Sequence, residues 1–307
     1  MRKTCLNTVY DLAKKDKKIV FIGSDLGPGV LDDFKKNIPN RFIMEGVSEQ
    51  SIIGISAGLA MEGFKPYVNT IATFLTRRCF EQIVIDLCLH NLPVRLIGNG
   101  GGLVYAPLGP THQAIEDISI MRTLPNMTIL SPCDSVEMKK LVLKSSNYRN
   151  PIYFRLAKGG DEIVTSEKEK IDIGRGNLKI RPGKYLFITT GVMTQMAIKA
   201  ARILKAEKNI KCGVLHLGTV KPLDKKILKF WIPRAKNIVT VEENVLNGGF
   251  GSSILEFVSD NFPQNLNKIS RMGLSDKFIT KYGTQELLLK HNKLTVKNLI
   301  NKILKKK

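Results

Sequence analysis

Short apolar runs alternate with amphipathic segments along most of the chain. An uninterrupted apolar run is typical of a strand in a parallel sheet, because helices cover both faces of such a strand. Segments in which apolar residues recur every three or four positions predict helices that bury one face. In the first half of the chain, the pattern predicts strands at 19–23, 42–44, 67–71, 94–98, 127–130 and 151–156.

Helices are predicted between these strands. They cover 31–38, 49–61, 74–89, 113–123 and 134–145, and Ser48 stands where the second of them should have its N-cap. Regular alternation of strand and helix specifies a parallel sheet with helices packed on both faces.

A second alternating unit follows a change in character. Residues 157–183 are charged and interrupted by glycine and proline, which indicates an edge hairpin and a linker. Beyond them, strands are predicted at 185–189, 212–217 and 238–241, and helices at 193–206, near Asp224, near Phe250 and at 296–304. We therefore predict an α/β fold of two parallel-sheet, three-layer domains, at 1–160 and 184–307, with a linker at 161–183.

Composition excludes several classes of protein. The apolar fraction of 43% is ordinary for a globular chain, and the scattered glycines and prolines exclude a collagen-like or disordered one. No apolar run reaches the length of about 18 residues that a membrane span needs, and the first residues lack the apolar core of a secretory signal. We therefore expect a cytoplasmic protein. The five cysteines form no Cys-x-x-Cys pair and the four histidines are scattered, so we expect reduced thiols and no metal site.

The charge of the chain is strongly positive. Lysine and arginine number 48 against 27 acidic residues, which gives a net charge of +21. Such a charge is compatible with nucleic acid, an anionic membrane or anionic substrates. The basic residues are mostly lysines spread over the whole chain, and no basic segment is interleaved with aromatic residues. A solvated surface is therefore the favoured interpretation.

Three strand-to-helix junctions carry residues with chemical potential. Ligands of parallel α/β sheets bind at the carboxyl ends of the strands, where Glu49, Phe74 and His112 fall after the second, third and fourth strands. Each also has a plain structural interpretation. Glu49 suits the first turn of a helix, Phe74 a core, and His112 a helix cap. The Arg77-Arg78 pair that follows Phe74 suits a charged surface.

In combination, these junctions resemble the C-terminal half of the transketolase family, which is a pyrimidine-binding domain followed by a C-terminal domain. The resemblance covers essentially the whole chain. It rests on Ser24-Asp25-Leu26, on the Glu-Gly-Val-Ser-Glu-Gln run at 45–50, on Thr73-Phe74, on the Gly-Pro-Thr-His-Gln run at 109–113, on 122–127, on 131–134 and, more weakly, on 241–243.

The resemblance implies thiamine diphosphate chemistry. In this family a glutamate, here Glu49, meets a ring nitrogen of the cofactor's aminopyrimidine and so promotes loss of the thiazolium proton. That carboxyl must hold a proton or share one with the ring. Phe74 matches the aromatic residue that stacks on the pyrimidine, and Asp25 and Arg78 match positions beside the cofactor.

Substrate contacts are implied as well. His112 matches the histidine that binds substrate oxygens and assists proton transfer. Arg2 and Arg155 match arginines that bind the phosphate end of a sugar phosphate, which suits their planar donors.

One part of the family's machinery is missing from the sequence. The diphosphate and Mg²⁺ are held in this family by a Gly-Asp-Gly motif with a downstream asparagine, and this sequence contains no Gly-Asp-Gly. The resemblance is therefore to the C-terminal subunit of a split transketolase, which transfers a two-carbon ketol unit between sugar phosphates. It implies a separate N-terminal subunit that holds Mg²⁺, in an α2β2 assembly.

Some positions depart from the family pattern. Leu108 replaces an aspartate that reads a sugar hydroxyl, Gly100 stands in place of a second substrate histidine, and Gly29 in place of a phosphate-contacting serine. These changes point to an unusual acceptor, as in specialised sugar biosynthesis. Three alternatives remain open: the β subunit of a 2-oxoacid dehydrogenase first component, half of a 1-deoxyxylulose-phosphate synthase, and a regulatory subunit without activity. Retention of Glu49 argues against the last of these.

Overall fold

The computed structural model describes residues 1–24 and 31–305, which form two sheets surrounded by helices. The strands are β1 (Ile19–Ser24), β2 (Phe42–Glu45), β3 (Lys65–Ile71), β4 (Arg95–Asn99), β5 (Thr128–Leu130), β6 (Ile152–Leu156), β7 (Asn177–Ile180), β8 (Tyr185–Thr189), β9 (Cys212–His216), β10 (Thr219–Lys221), β11 (Asn237–Val245) and β12 (Ile269–Leu274).

The described helices lie mainly between the strands. They are α1 (Arg2–Lys15), α2 (Asp32–Asn37), α3 (Glu49–Met61), α4 (Phe80–Gln82), α5 (Asp117–Arg122), α6 (Ser135–Ser145), α7 (Met193–Lys208), α8 (Lys225–Trp231), α9 (Phe250–Asn261), α10 (Gln285–His291) and α11 (Val296–Leu304). Two π-helical segments, Phe74–Arg78 and Ile83–Leu89, flank α4. Among the described residues, no helix is long and apolar enough to cross a membrane.

The first sheet has seven strands in the order β10-β5-β6-β4-β3-β1-β2. All neighbours in it are parallel except β10, which runs antiparallel to β5. Its central strands β1, β4 and β6 are buried along their whole length, as their apolar runs predict.

The second sheet has five strands in the order β12-β11-β8-β9-β7. Its neighbours are parallel except β7, which pairs antiparallel with β9. The predicted α/β fold with two mostly parallel sheets is therefore confirmed. The edge strand β7 lies inside the segment that the sequence presented as hairpin and linker.

The two halves of the chain share a sheet and an apolar core. β10 belongs by sequence to the second half, yet it completes the first sheet through its pairing with β5. One apolar core also runs from beneath the first sheet, at residues such as Val68 and Leu96, to Leu186 and Phe250 of the second half.

A buried polar cluster crosses the same boundary. Glu137 of α6 lies 2.8 Å from Nε2 of His216 on β9, and both side chains are inaccessible to solvent. The Cys133 thiol lies within 4.8 Å of their ligand atoms, which makes these three residues a candidate metal-binding group that the sequence did not indicate. Their polar atoms are already engaged, because Glu137 also accepts the Cys133 backbone N–H and His216 Nδ1 lies 2.7 Å from the Thr194 hydroxyl.

Candidate active site

Glu49 opens helix α3 just after the end of β2. Its side chain is 1% exposed, and its Oε1 lies 3.4 Å from the hydroxyl of Ser24, which ends the neighbouring strand β1. The same Ser24 hydroxyl donates more closely to the Gly46 carbonyl, at 2.8 Å. Ser48 occupies the predicted N-cap position, but its side chain makes no capping hydrogen bond. The acid is thus held at the carboxyl ends of β1 and β2.

Arg78 joins this acid to the neighbouring aromatic ring. Its Nη1 donates to Glu49 Oε2 at 2.5 Å, and its guanidinium carbon lies 4.5 Å from the centre of the Phe74 ring. Phe74 and Arg78 bound a π-helical segment where the sequence predicted an ordinary helix. Wider turns of this kind occur often at functional sites.

His112 also contacts the Phe74 ring. The two ring centres are 5.1 Å apart and the planes meet at 65°, an edge-to-face contact. The Thr111 hydroxyl lies 2.9 Å from His112 Nδ1. The expected helix start at residue 113 is wrong: α5 begins at Asp117, so His112 stands in a turn and caps no helix. The structure therefore brings Glu49, Phe74 and His112 together.

The glycine-rich loop that leads to His112 is pressed against other side chains. Gly100 has a φ of +80°, and a Cβ there would overlap the ring of Tyr105. Gly102 has a φ of +70°, and a Cβ there would lie 2.5 Å from the carboxyl carbon of Glu243. Close packing and left-handed backbone thus explain glycine at position 100, whatever its part in substrate choice.

Arg155 is placed differently from the expectation. Its side chain is 7% exposed, and its Nε donates to Asp117 at 2.7 Å. Its Nη2 donates to the carbonyls of Ala114 and Glu243, and the Tyr153 hydroxyl donates to the same carboxylate oxygen of Asp117. These contacts disfavour the phosphate-binding role expected for Arg155, because the guanidinium is buried and its charge is already paired.

The remaining candidate residues are more open. Arg2, at the start of α1, is half-buried, and its Nε has no hydrogen-bond partner among the described residues. Burial raises the pKa of Tyr105 in the glycine-rich loop, and the charge of Arg2 acts in the opposite direction. Leu108 is 50% exposed in a single 3-10 turn. Asp25 and Gly29 lie outside the described residues.

Family models match both halves of the chain. The model "Transketolase, pyrimidine binding domain" matches residues 1–160, and "Transketolase, C-terminal domain" matches residues 174–299. The chain belongs to the transketolase family. Its relatives include 1-deoxy-D-xylulose-5-phosphate synthases from Clostridium perfringens strain 13, 36% identical over 95% of this chain, and from Geobacter sulfurreducens, 36% identical over 89%. Those matches cover 47% and 43% of the relatives, so the chain spans about half the length of the curated relatives it matches.

Solved structures of the family superpose on the whole chain. One is titled a split gene transketolase, inactive beta4 tetramer; it is 31% identical, with a TM-score of 0.90 over 99% of this chain and 97% of its own. The transketolase of Campylobacter jejuni has a TM-score of 0.76 over 99% of this chain and 46% of its own; at 20% identity it shows the fold alone.

The sequence assigned no individual role to several residues that the structure of this transketolase-family chain places at the site. Glu243 of β11 accepts the Leu103 backbone N–H at 2.9 Å and so ties the second sheet to the glycine-rich loop. Gln285 donates to the same carboxylate at 2.8 Å. The Glu242-Glu243 pair was visible in the sequence, but Leu103, to which Glu243 binds, lies 140 residues earlier in the chain. Gln113 was visible too, inside the motif around His112, and both of its buried amide atoms lack a partner among the described residues.

Proposed function

We propose that this chain is the pyrimidine-binding subunit of a thiamine-diphosphate-dependent transferase that moves a two-carbon ketol unit between sugar phosphates in the cytoplasm. The carrying observation is the way Arg78 occupies the site. Its planar guanidinium covers Phe74 and forms a hydrogen bond with Glu49. An aminopyrimidine is also planar, so it can stack on Phe74 in the same place while a ring nitrogen shares a proton with the Glu49 carboxyl. The cradle formed by Phe74 and Glu49 therefore fits that ring.

Arg78 can leave this cradle. Its side chain is 42% exposed, so its charge can move into water at modest cost, whereas Glu49 stays buried. When bound, thiamine diphosphate supplies a thiazolium carbon that adds to the carbonyl of the donor sugar. In our proposal Phe74 orients the pyrimidine, and Glu49 holds or shares a proton at the ring nitrogen.

The substrate side of the site is assigned to His112 and Arg2. His112 contacts the Phe74 ring edge-to-face, and the Thr111 hydroxyl restrains its imidazole, so its free nitrogen can bind a substrate oxygen and move a proton. The charge of Arg2 acts on Tyr105 of the glycine-rich loop, and we assign that charge to the phosphate group of a substrate. Arg155 restrains the loop instead.

A second subunit is part of the proposal. The 307 residues contain no Gly-Asp-Gly motif, and we assign the diphosphate and Mg²⁺ contacts to a separate subunit. Val47, beside Glu49, is 73% exposed, and Ile55 and Met61 on α3 are exposed too, which leaves an apolar face next to the site. An α2β2 assembly would cover it. That a similar split gene transketolase is described as an inactive beta4 tetramer supports the need for a partner.

A second candidate function is half of a 1-deoxyxylulose-phosphate synthase, because the curated relatives carry that name at 36% identity. The two functions differ in the donor: a ketose in one case, and a 2-oxoacid that loses CO₂ in the other. Incubation of the reconstituted complex with each donor and an aldose phosphate separates them. Release of CO₂ coupled to product formation would favour the synthase.

The central test is Glu49→Gln in the reconstituted complex. We expect assembly to persist and hydrogen–deuterium exchange at the thiazolium carbon to slow by about 10²–10⁴-fold, the usual contribution of a positioned acid or base. Glu45→Gln is the matched control, because Glu45 lies four residues before Glu49, at the end of β2, and is exposed. Exchange at the wild-type rate in Glu49→Gln would remove Glu49 from the mechanism.

A further inference from the structure

A cleft of about 370 Å³ opens in the second domain, lined by residues that belong to none of the elements of the candidate active site. Leu246, directly after β11, and Arg271–Gly273 of β12 form one wall. The turn at Asn292 and Lys293 and one side of α11 form the other. Its volume falls within the range of small-molecule sites, and the carboxyl ends of sheet strands are where α/β folds bind ligands.

The residues that line this cleft carry positive charge and include no acidic side chain. They include Arg271, Lys293, Lys302 and Lys305, together with three asparagines. Within 1–24 and 31–305, none of these four cations forms an ion pair. Lysines elsewhere do, as Lys144 does with Asp172.

The charges crowd one another inside the cleft. Burial lowers the pKa of Lys302, and the nearby charges of Arg271 and Lys305 lower it further. Arg271 is fixed in place, because its Nη1 donates to the Leu246 carbonyl at 2.6 Å and to the Ser252 hydroxyl at 2.9 Å. The charge of Arg271 acts on Glu242, but that acid is buried, accepts two backbone N–H groups of α9 and does not line the cleft.

From this arrangement we infer that the cleft is a binding site for a small phosphorylated molecule, separate from the proposed ketol-transfer site. A phosphate relieves the repulsion between Lys302 and its neighbours, and the free donors of a fixed arginine suit its oxygens. The half-buried positions of Arg271 and Lys302 strengthen the attraction, since screening by solvent is weaker there. The asparagine side chains can bind the rest of the ligand.

The test is a calorimetric titration of the full-length chain with inorganic phosphate, pyrophosphate and adenosine monophosphate, without Mg²⁺ or thiamine diphosphate. We expect saturable binding of at least one probe with a Kd below about 1 mM, weakened about tenfold or more by Lys302→Gln. Lys297→Gln is the matched control, because it removes the same charge from α11 outside the cleft. Its expected effect is below about twofold.

The comparison of probes separates free phosphate from a phosphate ester. Binding of inorganic phosphate alone assigns the site to the free ion, and tighter binding of the monophosphate ester assigns it to an esterified ligand. Arg2→Gln removes the charge assigned to substrate phosphate in the active site. It should leave either result unchanged, which distinguishes this cleft from the active site. Absence of saturable binding, or equal weakening by Lys297→Gln, would overturn the inference. So would single-stranded DNA binding more tightly than every small probe and losing that binding in Lys302→Gln.

Discussion

Two carboxylate–arginine pairs in the first domain are alike in distance and in the burial of the acid, and they differ in the surroundings of the arginine. Glu49 meets Arg78 at 2.5 Å and Asp117 meets Arg155 at 2.7 Å, and both carboxylates are buried. Arg155 is buried as well and donates to two carbonyls besides, while Asp117 also accepts the Tyr153 hydroxyl. Arg78 is 42% exposed, and within the described part of the chain its guanidinium contacts Glu49 and the Phe74 ring.

The difference separates a structural pair from an exchangeable one. Removing Arg155 from Asp117 would strand two buried charges, so that pair is permanent. Arg78 can swing into water and leave Glu49 with a free acceptor facing an aromatic ring. A planar ring that shares a proton with the carboxyl can then take its place. A ligand site requires a buried acid whose partner can be displaced, as Glu49 has in Arg78. A pair that stabilises the fold requires two buried partners, as Asp117 and Arg155 are.

The largest expected effect concerns the permanent pair. Asp117→Asn should lower the free energy of unfolding by about 3–5 kcal/mol, because it leaves the buried Arg155 charge without its counterion. Urea denaturation measures it. Asp11→Asn is the control, since it breaks the exposed Asp11–Lys14 pair and should leave the free energy of unfolding nearly unchanged. Equal losses in both variants would break the comparison.

Glu242 is a buried carboxylate without an arginine ion pair, and it should make the stability of the protein depend on pH. Burial raises the pKa of Glu242 to about 7 from its usual 4.5, although two backbone N–H groups oppose the change. The folded protein therefore binds this proton more tightly than the unfolded chain, so its stabilisation is present at low pH and is lost as pH rises through the window from 4.5 to about 7.

Measured against Glu242→Gln, the wild-type free energy of unfolding should fall by up to about 3 kcal/mol across that window. Denaturant titrations at several pH values give the difference curve. A flat difference would show that the N–H groups of α9 outweigh burial, and that Glu242 needs no proton in the folded state.

The smallest effect is expected at the exchangeable pair. Arg78→Gln should change the free energy of unfolding by about 1 kcal/mol or less, because Arg78 is largely exposed and water can reach Glu49 once it is gone. The same denaturant titration tests this, with Asp117→Asn as the large reference. A loss of unfolding free energy as great as that of Asp117→Asn would mean that Arg78 stabilises the fold and does not occupy the place of a ligand.

The alternating pattern was enough to predict most of the first sheet. The strands β1, β4 and β6 are buried along their whole length and β3 is buried except at its two ends, so their apolar runs carry the signal directly. β10 was missed because a three-residue strand has no periodicity and is paired by a segment about 90 residues earlier. The π-helical turns at Phe74 were missed because side-chain spacing does not distinguish a widened turn from a regular one.

The site was only partly visible in the same way. Glu49, Phe74 and His112 each follow a strand, and the edge shared by parallel strands brings them together. The position of Asp25 lies outside the described residues. The engagement of Arg155 was not predictable, because its partner Asp117 lies 38 residues earlier, and because a helix start at residue 113 was expected in place of the loop that leads to it.

The crossing of β10 into the first sheet has a consequence for synthesis on the ribosome. β5 emerges about 90 residues before the strand that covers it, so at about 5–20 residues per second its open edge waits on the order of ten seconds for its neighbour. Unpaired edges of this kind invite pairing with other chains. During that interval the nascent protein depends on chaperones, or on the brevity of β5 itself, to stay out of aggregates.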